Sequence, residues 1–156
     1  MLKCFIYILP FFILFFNDHK MSYEYFLQAH LHQDAQEIPM ESILLIFKDY
    51  IIAKDESYID LQFEEGNSCT IYTDTTGSTV DNFMVSRPCY SKQLGECLYQ
   101  VMLLGNFVFF EPDGKHPIIL SLATEAHLPL DMIETLGKPV VAEGMNDFLE
   151  LYFNNR

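Results

Sequence analysis

A chain of 156 residues, half of them hydrophobic, is long enough for one domain around one core and too apolar to stay disordered. Its 9 basic residues against 22 acidic ones give a formal net charge of -13. That charge repels polyanions, and with no basic patch in the sequence, nucleic acid is excluded as a partner class.

Residues 1–20 hold an apolar run from Cys4 to Phe16, interrupted by Pro10 and preceded by Lys3. The run is too short to span a bilayer comfortably as a helix, and no small-x-small cleavage site follows it. The expectation is that residues 1–20 are a hydrophobic extension upstream of a start at Met21. A membrane association or export follows only if they are translated and retained.

From Met21 a strand begins at once. Tyr23, Tyr25, Leu27, Ala29 and Leu31 alternate with polar residues, and Phe26 is the one apolar residue on the polar side. Pro39 then opens a helix, where Met40, Ile43, Leu44, Phe47, Tyr50 and Ile51 recur at helical spacing and Ile52 widens the stripe. Residues 58–63 alternate again, with Ile59, Leu61 and Phe63 on one face. Glu65-Gly66-Asn67 turns the chain, and residues 69–73 return as the second arm of a hairpin. A loop over residues 74–81 leads to a short strand at 83–85, stopped by Pro88.

Ser91 is placed to cap a helix that buries Leu94, Cys97, Leu98, Val101 and Met102. Gly105 is expected to end it in a left-handed cap. Two continuous apolar runs, 107–110 and 118–120, then flank a turn at Pro112-Asp113-Gly114. Runs of this kind predict strands covered on both faces, at the centre of the sheet. A loop, a short helix over 129–136 closed by Gly137, a strand at 140–142 and a last helix from Gly144 complete the pattern. The order β-α-β-β-β-α-β-β-α-β-α predicts an α+β fold. Residues 21–156 would form a single domain, with helices packed on a mixed, mostly antiparallel sheet of about six strands.

The sequence has no phosphate-binding glycine loop, no nucleophile elbow, no zincin motif and no EF-hand loop. The four cysteines, Cys4, Cys69, Cys89 and Cys97, match no zinc or redox spacing. Beyond residue 20 their number is odd, which points to a reducing compartment, the cytoplasm. No metal or cofactor is expected. His30, His32 and Asp34 share a strand face by parity and are ligand types, but that face is polar and they read as solvent-exposed. Cys89, His116 and Asp113 are the types of a thiol nucleophile with its base and orienter, yet nothing in the sequence brings them together. Cys89 reads as a packing residue and Asp113 as a turn residue.

Tyr58 and Tyr72 fall on the faces opposite Ile59 and Ile71. Together with Asp60, Glu64, Glu65 and Asp74 they have the composition of a patch for a basic protein. In size, charge and composition the chain resembles the small immunity proteins with which bacteria neutralise toxins. That resemblance implies a non-catalytic binding module and a basic protein partner. The alternative is a small enzyme or anionic-ligand site built from Arg87, Glu125 and His127. Partner identity and oligomeric state are not legible in the residues.

Overall fold

The computed structural model describes residues 24–112 and 116–154. Strand β1 (Glu24–Leu31) buries Tyr25, Leu27 and Ala29 on one face, following the predicted alternation. His32 and Gln33, with φ of 53° and 67°, make the paired positive-φ turn of a tight hairpin, and β2 (Asp34–Ala35) returns along β1. Next come β3 (Ile38–Pro39), helix α1 (Met40–Phe47) and an antiparallel meander of β4 (Ile51–Asp55), β5 (Tyr58–Gln62) and β6 (Ser68–Tyr72). β7 (Thr79–Val80) pairs with β3 as a separate ribbon. β8 (Asn82–Ser86) joins β6 to β1.

Helix α2 (Lys92–Met102) leads into β9 (Phe107–Phe110) and β10 (Ile118–Ile119). Helices α3 (Leu122–Glu125) and α4 (Leu130–Leu136) carry the chain to β11 (Val140–Val141), and α5 (Met145–Asn154) follows. The main sheet runs β11-β10-β9-β1-β8-β6-β5-β4, with β2 added to β1. Every pairing is antiparallel except β10 with β11. The fold is therefore α+β with a mixed, mostly antiparallel sheet, as the element pattern predicts.

Among the described residues the sheet has nine strands, where the element pattern predicts about six. β2 is too short to show a pattern. Ile51 continues the stripe of the preceding helix, so the spacing predicts that helix to run on into β4. The helix ends at Phe47 instead, and the Tyr50 N–H bonds the Phe47 carbonyl at 2.9 Å. The β-branched pair Ile51-Ile52 then enters a strand whose ladder with β5 is bulged between Ile51 and Ala53.

The 107–110 run is buried at all four positions, as a strand covered on both faces must be. It lies third from one edge, not at the centre; the hub is β1, which pairs with β2, β8 and β9. Gly105 makes no left-handed cap. Its lack of a side chain serves close packing: a Cβ there would stand 2.6 Å from Ile38 Cδ1 and 2.7 Å from Gln36 Oε1. That oxygen accepts from the Asn106 N–H at 2.7 Å. Gly137, by contrast, closes α4 at φ 88°, as read from the sequence.

The main core lies between one sheet face and the inner sides of α1, α2 and α5, around Leu27, Phe47, Ile71, Leu98, Phe109 and Phe148. Tyr25, Phe109, Phe148 and Tyr152 meet there edge to face or tilted, and Phe148 and Tyr152 stack, with centroids 5.1 to 6.1 Å apart. A smaller core on the opposite face gathers Val108, Phe110, Ile119, Leu128 and Met132 beneath α4. It covers the part of that face from β11 to β1.

Candidate functional site

Among the described residues, the second face of the sheet beyond α4 carries no helical layer over β8, β6 and β5. Strand parity decides what it presents. Phe83, Val85, Ile71, Ile59 and Leu61 go into the main core, so Met84, Tyr72, Tyr58, Thr70 and Asp60 go the other way.

Register then aligns them. Phe110 pairs with Phe26, Phe26 with Met84, Met84 with Tyr72 and Tyr72 with Tyr58. This is one apolar and aromatic row crossing five strands, roughly 19 Å long at the usual strand spacing. It starts under α4, where Phe26 and Phe110 stack at 5.4 Å, and it emerges at Tyr72, which is 45% exposed. The next row, Glu24-Ser86-Thr70-Asp60, is polar. The Thr70 hydroxyl donates to Asp60 Oδ1 at 2.6 Å and fixes that carboxylate beside the tyrosines.

Tyr58, Asp60 and Tyr72 are thus brought together. Asp74 follows β6 at the Tyr72 end of the hairpin, where the Thr76 N–H and hydroxyl bond its carboxylate at 2.9 and 2.6 Å and hold its pKa below the usual value. Glu64 and Glu65 are exposed in the turn at the other end, six residues of strand from Tyr58, or roughly 20 Å. They do not adjoin the tyrosines. Phe26 and Met84 belong to the row and were not singled out as site residues. Their signal was present, since each is apolar on the polar parity of its strand.

Arg87, Glu125 and His127 do not converge. Arg87 is exposed just past Ser86, which pairs with Glu24 at the start of β1. His127 meets the far end of that strand, where its Nδ1 accepts from the His32 N–H at 3.1 Å. The eight residues of β1 separate them by roughly 25 Å. The carboxylate of Glu125 stands 4.0 Å from Lys138 Nζ.

His30, His32 and Asp34 are not one exposed face. His30 is buried, and among the described residues neither ring nitrogen has a hydrogen-bond partner of good geometry. Burial pushes its pKa down, against smaller opposing pulls from the Asp34 backbone and the carboxylates of Asp81, Asp131 and Asp34. His32 is exposed in the turn and its ring lies against His127, with centroids 5.1 Å apart. No group of three or more metal-ligand side chains occurs among the described residues.

The Cys89, His116 and Asp113 set is not assembled either. Cys89 packs against the main core. His116 lines a pocket of about 120 Å³ with Glu111, Thr135 and Leu136, on the α4 side. Asp113 lies outside the described residues, as do residues 1–20. Glu111 is buried, its Oε1 has no partner, and burial pushes its carboxyl up to about 7. Among the described residues no helix is long and apolar enough to cross a membrane.

These features define an α+β protein with one helix-covered sheet face and one partly open face bearing an aromatic row. No protein-family model, no curated protein and no solved structure matches the chain.

Proposed function

We propose that this chain is a non-catalytic binding module that captures a basic protein on the open face of its sheet, in the manner of the bacterial immunity proteins it resembles in size and charge. The supporting observation is the row Phe26, Met84, Tyr72 and Tyr58, set beside the fixed carboxylate of Asp60. Tyrosines supply large, rigid contact area with a polar tip, the side-chain type that dominates binding energy at interfaces. The surrounding charge steers a basic surface toward them. The cytoplasm is the compartment we infer, where Cys69, Cys89 and Cys97 stay as the free thiols they are in the structure.

The test is a pull-down with the full chain from its own host's lysate, run beside a Tyr58→Ala/Tyr72→Ala variant at low and moderate salt. The expected result is one basic protein held in near-equal amount by the parent chain and lost by the variant, with an on-rate that falls as salt rises. Capture that is indifferent to the two tyrosines, or association independent of salt, overturns the reading.

A further inference from the structure

The all-buried run of β9 is followed by one more buried residue, and that residue is an acid: Glu111 is 8% exposed. Pro112 comes next and has no N–H with which to extend the ladder. The chain rejoins the sheet at Pro117, whose carbonyl accepts from the Val140 N–H at 2.8 Å just ahead of β10. Between these two prolines and the last turn of α4 lies the pocket of about 120 Å³. Phe110 and Leu136 are part of its apolar wall, and Glu111, His116 and Thr135 supply its polar side chains.

Those side chains call for a donor. Glu111 Oε1 is buried and among the described residues has no hydrogen-bond partner. Neither ion pair found among those residues involves Glu111. A carboxylate so placed is costly, because burial strips its water and no opposite charge replaces it. The Thr135 hydroxyl donates to the Asp131 carbonyl at 2.7 Å, so its oxygen can only accept from anything else. A ligand that satisfies both brings N–H donors and a positive charge. A primary ammonium carries three donors on one compact charge, and a short alkyl tail suits the Phe110 ring and the prolines. Counting about 30 Å³ per water-sized atom, the pocket takes about four non-hydrogen atoms. Water fills such a space but leaves the charge uncompensated.

We propose that this pocket is a binding site for a primary ammonium group, with the Glu111 carboxylate as counter-ion, the Thr135 oxygen as a second acceptor and Phe110 beside the alkyl tail. The group arrives on a free short-chain amine or at the end of a lysine side chain of another protein. Where Glu111 still holds its proton, binding of the cation releases it.

The experiment is an NMR titration of the backbone amides of the full chain with propylammonium chloride at pH 8, with propanol and potassium chloride as controls. Saturable shifts at Glu111, His116, Thr135 and Leu136 are expected, half-complete at ~1 mM, which lies within the ceiling for so small a ligand. Burial raises the Glu111 carboxyl to about 7, so at pH 5 the affinity should fall roughly a hundredfold. His116 is the other ionisable side chain among the described lining residues, and α4 contributes none. His116→Gln should therefore keep the pH dependence, while Glu111→Gln should weaken binding at pH 8 by about tenfold or more. Should Glu111→Gln fail to fold, the pH series on the parent chain decides. Acetyl-lysinamide separates the two sources: binding as tight as that of propylammonium marks a lysine side chain, and exclusion marks a free amine. Shifts that do not saturate, that Glu111→Gln retains, or that propanol reproduces overturn the proposal.

Discussion

Two buried side chains make the stability of this protein depend on pH in opposite senses. Burial of the His30 imidazole outweighs the smaller pulls of the Asp34 backbone and nearby carboxylates, so the folded state favours its neutral form. The unfolded chain takes up a proton below about pH 6.5 and the folded one does so only at lower pH. The stability His30 contributes is therefore present above that point and drains away as the pH falls. Urea unfolding of the parent and of His30→Leu at pH 7.5 and 5.5 isolates this contribution from the opposing one of Glu111: on going to the lower pH the parent should lose stability relative to the variant, by up to about 1 kcal/mol. Glu111 works the other way. Its carboxyl is raised to about 7, so its contribution is whole below about pH 4.5 and is lost as the pH rises through 7. Glu111→Gln should raise the urea midpoint at pH 8 by the equivalent of up to about 3 kcal/mol and leave it unchanged at pH 4.

At the scale of elements, the crossing of α2 and α5 depends on Gly95. A Cβ at that position would stand 2.7 Å from Leu149 Cδ2 and 3.3 Å from the Tyr152 ring. Alanine would gain about 1 kcal/mol of helix propensity but drive the helices apart, and overpacking of this kind costs about 1–3 kcal/mol. Gly95→Ala should therefore lower stability by about 1 kcal/mol in thermal or urea unfolding. A gain in stability would show that the crossing can shift without cost. The helices themselves were legible from spacing: Leu94, Cys97, Leu98, Val101 and Met102 are all buried, as are Phe148, Leu149 and Tyr152. β4 was not legible, because Ile51 satisfies helical and strand periods alike and only its pairing with β5 decides between them. His30 was misjudged for a related reason. Parity places it correctly on the second face, but the polar look of that face does not reveal that part of it is covered.

For the molecule as a whole, the same limit separates what could be read of the candidate site from what could not. Tyr58, Asp60 and Tyr72 fall together because parity and a hairpin are local facts. Glu64 and Glu65 were grouped with them by nearness in sequence, and the length of the strands carries them to the far end. The acidic charge acts at this scale too. It extends beyond any one contact, so under the proposed binding function salt should slow capture of the basic partner more than it hastens release, and stopped-flow association at several ionic strengths separates the two.

The place of β1 in the sheet has a kinetic consequence. β4, β5 and β6 are neighbours in sequence as well as in space, and their meander can form from local chain alone. β1, the first of the described strands, lies between β8 and β9, so its ladder waits for partners more than fifty residues downstream. Closing such long loops is the slow step in folding. During synthesis the β5–β6 hairpin can emerge and pair early, while Tyr25, Leu27 and Ala29 remain uncovered until Phe107–Phe110 has left the ribosome. Over that interval the nascent chain exposes the apolar face of its own hub strand, and it is then that it most needs a chaperone.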